Sequence, residues 1–334
     1  MRIAPAFLLA ASAWPFAAGA QVVENQDWQL VCDNVRSCRA AGYSAAGSQA
    51  PVSVLFSRAA GPGMPVYAAL QLGTLDPRSA HPASVVMTVG GKPAGTIRLD
   101  RDNHADLPVP VAAALLKAVT GGGAVAFTAG KATWRLSTDG APESLGGMDD
   151  VQGRSGRASA LVRKGGLSDA DVASPMAVPR FEAGSLGAPH LAGDDALAVQ
   201  VLAAVHSDPG CPLLDDGRAQ AAARRWHLDA NRLLVSQPCR AAADGGGDGY
   251  WLANVRPPHD ARPMTYAGVD FDGSTVTART LTAPGGDCGS KQAWTWNGYR
   301  FEPSYSSIGG LCRGVKAGGA WELPTLVSDV VPGR

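Results

Sequence analysis

Cysteine is the residue type whose number and spacing here commit most firmly to a chemistry. Six occur in the 334-residue chain, at 32, 38, 211, 239, 288 and 312. No Cys-x-x-Cys pair or histidine array accompanies them, which disfavours zinc, and no Cys-x-x-Cys-His run offers a haem attachment. An even number of cysteines in a chain that begins like an exported one points to cystines instead. Proximity in sequence makes the expected bridges Cys32–Cys38, Cys211–Cys239 and Cys288–Cys312.

The second candidate is aromatic. In Trp294-Thr295-Trp296-Asn297-Gly298-Tyr299-Arg300-Phe301, a two-residue turn at Asn297-Gly298 sets Trp296 opposite Tyr299 and Trp294 opposite Phe301. All four rings then share one face. Such a face either packs a small β-rich core or forms a stacking platform for a sugar or peptide, which Tyr250 and Trp251 would extend. Core packing is the more economical role, and exposure of the rings decides.

Signatures of catalysis are scarcer. There is no Gly-x-Ser-x-Gly elbow, Ser-x-x-Lys, His-Glu-x-x-His, P-loop or Gly-x-Gly-x-x-Gly. An envelope-acting hydrolase would have to draw on His206 or His227 with Asp208 or Asp229, which are linked only by nearness in sequence. Asp100-Arg101-Asp102-Asn103-His104-Ala105-Asp106 is dense in oxygen ligands but lacks the glycine and terminal glutamate of a calcium loop, so it reads as a solvated turn. The stretch Asp244-Gly245-Gly246-Gly247-Asp248-Gly249 reads as a flexible loop, and Asp33, Asn34 and Arg36 as a polar tip facing water. No catalytic residue, metal site or cofactor is assigned.

The elements that must carry these residues are mostly strands. With 41 glycines and 24 prolines, short apolar runs between turn residues outnumber helical patterns. Strands are expected at 27–32, 52–57, 66–72, 84–89, 96–99, 124–128 and 133–137, joined in part by turns at Gly90-Gly91 and Gly130-Lys131, enough for a sandwich-like N-terminal domain. Helices fit 110–119, entered at Pro110 and stopped by Gly121, and 143–153, with a further strand at 158–163. After a Pro/Gly/Ala-rich stretch come a helix-like 196–205 and strands at 232–237, 250–254, 275–281, 293–296 and 299–303, with Asp272-Gly273 and Asn297-Gly298 as type I′ turns. The expected fold is mainly β with a few short helices (α+β). Its parts are a signal peptide (1–20), an N-terminal β-rich domain (21–173), a linker (174–195) and a C-terminal antiparallel, disulfide-stapled β domain (196–334).

Compartment follows from the first residues. Arg2 precedes an uncharged run rich in Ala, Leu and Phe that closes on Ala18-Gly19-Ala20, the pattern of a leader cut after Ala20. Pro5 and Pro15 break the run, and it is too short to span a bilayer. No later segment is apolar enough for a transmembrane span. Lys+Arg and Asp+Glu both number 29, so the basic footprint of a nucleic-acid binder is missing.

Asp27-Trp28, Cys32-Asp33-Asn34, Cys38-Arg39-Ala40, Gly42-Tyr43 and Val52-Ser53-Val54-Leu55 resemble the N-terminal signature of a bacterial exported family, domain of unknown function 1176. Asp149-Asp150, Gln152-Gly153-Arg154, Gly286-Asp287-Cys288-Gly289-Ser290, Trp294 to Gly298 and Cys312-Arg313-Gly314 with Trp321 continue it. The family is in turn distantly similar to the invasion-associated locus B proteins. The resemblance implies a Gram-negative envelope protein and brings no activity, cofactor or catalytic residue with it. The combined expectation is a non-catalytic periplasmic protein that binds an envelope protein or a cell-wall saccharide. An envelope-acting hydrolase and a structural or stress-related envelope protein are the alternatives.

Overall fold

The computed structural model describes residues 20–73, 81–186, 195–205, 208–241, 246–281 and 286–333. The expected leader, His206 and residues 244–245 of the Gly-rich 244–249 loop lie outside the described residues. The chain is mainly β, as expected, with all its larger sheets antiparallel.

Strands β1 (Gln21–Asn25), β2 (Trp28–Cys32), β3 (Cys38–Tyr43), β4 (Val52–Arg58) and β5 (Tyr67–Leu72) form a meander. β6 (Ser84–Val89) and β7 (Lys92–Arg98) make a hairpin across Gly90-Gly91. β8 (His104–Asp106) returns to the meander beside β5. β9 (Val125–Ala129) and β10 (Ala132–Leu136) complete a second sheet in the order β10-β9-β6-β7. Helices α1 (Val109–Thr120) and α2 (Ala141–Val151) flank these sheets.

Alternation in β2 sends Trp28, Leu30 and Cys32 into one core with Phe56, Met87, Leu115, Phe127 and Leu145. The opposite face does not meet water. Val31, Ala41 and Tyr43 pack on Val315 and Leu323 from the end of the chain. This burial on both sides is why every residue of β2 is buried.

Two expected elements differ. Residues 158–163 form no strand, because the Leu161 and Val162 N–H groups donate to the Asp149 carboxylate at 2.7 and 3.1 Å instead of to a neighbouring strand. The proposed linker is not featureless either. β11 (Arg180–Ala183) pairs in parallel with the last strand, β20 (Asp329–Pro332), and the Gly184 N–H donates to the Trp296 carbonyl at 2.7 Å.

Beyond it, α3 (Asp195–Ala203) and the short α4 (Gly217–Ala221) precede an eight-stranded sheet in sequence order. Its strands are β12 (Arg224–His227), β13 (Arg232–Pro238), β14 (Asp248–Asn254), β15 (Arg262–Phe271), β16 (Thr275–Leu281), β17 (Gly289–Trp296), β18 (Phe301–Ile308) and β19 (Leu323–Val327). Trp251 packs with α3 and Cys211–Cys239 on one face, while Tyr250 faces Phe271 and Trp296 on the other. Adjacent residues of β14 thus serve opposite cores. All three expected cystines are present.

Candidate functional site

The aromatic hairpin turns differently from the sequence expectation. The Asn297 side chain accepts from the Tyr299 and Arg300 N–H groups at 2.9 and 2.8 Å. The loop therefore spans four residues and pairs Trp296 with Phe301 and Trp294 with Pro303. A type I′ turn needs positive φ at both central residues, and here only Gly298 has it. Asp272 does the same at the β15–β16 turn, accepting from the Ser274 and Thr275 N–H groups.

Trp296 is fully buried, and Trp294 and Phe301 pack half-buried against the same cluster. Trp251 and Tyr250 are buried on opposite faces. Burial and the nearby Asp248 and Asp270 charges push the Tyr250 pKa up to about 12. Trp296, Trp251 and Tyr250 thus have no open face to stack on a ligand in this conformation, while Trp294 and Phe301 keep part of theirs. Tyr299, at the loop tip, is 72 % exposed, with the Arg232 guanidinium 5.3 Å from its ring centre and 4.7 Å from that of Trp296.

The histidine–aspartate candidates are employed elsewhere. His227 Nε2 lies 2.6 Å from an Arg225 guanidinium nitrogen, and burial followed by that cation lowers its pKa. Asp229 closes a turn by accepting from the Asn231 and Arg232 N–H groups and pairs with the Arg232 guanidinium. Asp208 accepts from the Gly210 N–H and from the Tyr266 hydroxyl. Among the described residues no hydrogen bond joins His227 to either carboxylate.

The Cys32–Cys38 tip is not solvated as expected. Asp33 is buried, accepting from the Val35 and Ser37 N–H groups and from Arg39. Asn34 exchanges two hydrogen bonds with Val327, at 3.0 and 2.8 Å, in the manner of a sheet bridge. It belongs to a seam along which the end of the chain closes on the first sheet. The Trp321 indole donates to Ser53 Oγ at 2.6 Å, and the Tyr43 hydroxyl accepts from the Leu311 N–H. Arg313 pairs with Asp27 at 2.8 Å. Burial drives the Tyr43 pKa far upward.

This seam leaves a groove beside it. A cleft of about 760 Å³ lies between the 100–104 turn of the N-terminal half and, in the C-terminal half, strands β15 to β18 with the 316–322 loop. A second cleft of about 500 Å³ adjoins it, sharing Gln71, Asp102, Lys316 and Ala317. The N-terminal wall is fixed by buried Gln71, whose amide donates to the Asp102 carbonyl at 2.7 Å. Asp100 closes the turn by accepting from the Asp102 and His104 N–H groups at 2.8 and 2.9 Å. Those bonds, the His104 N–H first among them, hold its pKa below the usual carboxylate value. The 100–106 segment is thus a turn, as expected, but one that builds a cleft wall.

Opposite stand Arg279, Lys291, Lys316 and Glu322. Lys291 pairs with Glu322 at 3.5 Å, and the Tyr305 hydroxyl donates to the same carboxylate at 2.5 Å. Burial, then that acceptor, raises the Tyr305 pKa to about 12. Gly318 sits at φ +81°, where a Cβ would lie 2.1 Å from the Arg279 guanidinium, so glycine is what lets this arginine lie along the loop. Trp321 meets the His104 ring edge-on at 6.0 Å.

Near this wall the Asp287 carboxylate lies within 4.8 Å of the Cys288 and Cys312 sulfurs. Those sulfurs are joined as a cystine and offer no thiolate to a metal. The groove is therefore polar and carries balanced charge. It suits recognition by hydrogen bonds and charge.

Residues 23–328 match a family described as a protein of unknown function, DUF1176. The chain belongs to that family. No curated protein and no solved structure matches it.

The groove is not visible in the sequence because its walls lie far apart in the chain, Gln71 and residues 100–104 on one side and residues 269–322 on the other. The sequence marks parts of it separately, the 100–106 stretch for its oxygen ligands and Gly289, Ser290 and Trp321 through the family resemblance, without joining them.

Proposed function

We propose that this protein is exported to the bacterial periplasm, after loss of residues 1–20, and there holds a polar envelope ligand in the groove between its two halves without acting on it chemically. The single observation that carries the reading is the groove itself, a concave polar site of about 760 Å³ walled by both halves. Three cystines favour an oxidising compartment. The described residues contain no helix long and apolar enough to cross a membrane. On this reading the distant resemblance of the family to invasion-associated locus B proteins reflects an envelope role, and the protein divides into two domains around residues 174–195.

Two experiments test this. Osmotic-shock fractionation with mass spectrometry is expected to recover a chain beginning at Gln21, and a cytoplasmic chain beginning at Met1 would refute export. Calorimetric titration with solubilised envelope peptides and saccharides is expected to show saturable, unreacted binding that Lys316→Glu and Trp321→Ala weaken. Binding indifferent to both substitutions, or turnover of the ligand, would refute the reading.

A further inference from the structure

Charge in the groove is sorted by wall. The N-terminal wall contributes Asp100 and Asp102, and the C-terminal wall Arg279 and Lys316, besides the internally matched Lys291–Glu322 pair. Asp100 spends one oxygen on its own turn and faces His104 at 3.6 Å with the other. Among the described residues, Asp102, Arg279 and Lys316 make no ion pair and no side-chain hydrogen bond, although all three line the same cleft.

Adjacent unsatisfied charges of opposite sign would gain by pairing if the groove let them meet. Lys316 already acts across the cleft on the Asp100 carboxylate without closing an ion pair, and the charges on the facing walls leave a field directed across the groove. A neutral sugar would gain little from that field. A simple anion or cation would meet attraction on one wall and repulsion on the other. A ligand with an ammonium group at one end and a carboxylate at the other satisfies both walls at once.

We infer that the groove is specific for a zwitterionic, peptide-type ligand, its ammonium group held at Asp102 and its carboxylate at Arg279 and Lys316. This rests on the groove being the ligand site, and it narrows the occupant from any polar envelope molecule to a peptide bearing both charges. The second cleft, entered past Lys316, gives room for a longer chain.

The test uses the intact oxidised protein and four probes in calorimetric titration: trialanine, its N-acetyl form, its C-terminal amide, and the neutral trimer of N-acetylglucosamine. Trialanine is expected to bind saturably. Each cap should weaken it about three- to fivefold, the scale of a solvent-exposed charge pair, and the binding should weaken in 0.5 M salt.

Asp102→Asn should abolish the penalty for acetylation and leave that for amidation. Arg279→Gln combined with Lys316→Gln should do the converse, and either substitution alone should reduce the amidation penalty without abolishing it. All these side chains are exposed, so unchanged circular dichroism and melting temperature verify that the variants fold. Caps without effect, or a penalty that the variants do not redistribute, overturn the inference. Binding of the sugar trimer but not trialanine, lost in Trp321→Ala, overturns it while leaving the groove as the site. Failure of all four probes overturns it as well, and the groove reading is then judged separately by the envelope-extract titration.

Discussion

Replacing Asp149 by alanine is expected to be among the most damaging single changes in the N-terminal half. Its carboxylate is fully buried and meets the Arg58 guanidinium at 2.7 Å, with Arg58 itself almost fully buried. The other oxygen accepts from the Leu161 and Val162 N–H groups, and Gln152 completes the cluster by accepting from Arg58 Nε at 2.6 Å. Burial already lowers the Arg58 pKa, with the Asp149 hydrogen bond opposing it.

Asp149→Ala therefore strands a cation that cannot be neutralised cheaply. Breaking a buried pair from one side costs about 3–5 kcal/mol, and two orphaned backbone donors bring the total to the upper end of that range. Against a domain stability of about 5–15 kcal/mol, that is a loss of roughly 10 °C or more in melting temperature. Urea unfolding followed by circular dichroism measures it. Asp149→Asn, whose one amide oxygen can still accept from the two N–H groups, should lose less. Arg58→Met combined with Asp149→Leu should recover the part of the loss that comes from the stranded cation, leaving the part owed to the two orphaned N–H groups. A loss below about 1 kcal/mol for Asp149→Ala, or no recovery in the double variant, would refute the reasoning.

Trp296→Ala should cost about 3–5 kcal/mol, as for any fully buried large ring, while Tyr299→Ala at the exposed tip should change unfolding free energy by less than about 1 kcal/mol. Equal costs in chemical denaturation would contradict the register with Trp296 opposite Phe301. Replacing Cys211 and Cys239 together by serine should lose about 3–4 kcal/mol for a loop with a sequence separation of 28, and a loss under 1 kcal/mol would argue against that bridge. The His227 pKa is depressed in the folded state, so the unfolded chain binds the extra proton first. Stability is fully present above the unfolded value near 6.5 and falls as pH drops through the window down to the folded value. His227→Gln should flatten that slope in pH-dependent melting, and an unchanged slope would assign it to other groups.

Local signals in the sequence carried far into the structure. Pro110 and Gly121 bracket α1 to within a residue or two, Gly90-Gly91 closes the β6–β7 hairpin, and nearness in sequence identified all three cystines. The expectations that differed turned on side chains competing for backbone hydrogen bonds. Asn297 and Asp272 take N–H groups that a type I′ turn leaves to the backbone. Asp149 likewise draws residues 161 and 162 out of a strand. Asn34 could not be read as a bridge to Val327 because its partner lies 293 residues away. The groove is hidden for the same reason, since Asp102 and Arg279 are far apart in the chain and share a cleft only in the folded protein.

Backbone and indole amide mapping by NMR, during titration of the isotope-labelled protein with trialanine, tests the ligand site most directly. The account predicts that the largest perturbations fall on Asp102, His104, Ser290, Lys316 and the Trp321 indole, all on the groove. Perturbations centred instead on Tyr299 and Arg232 at the hairpin tip, or on His227, would contradict it.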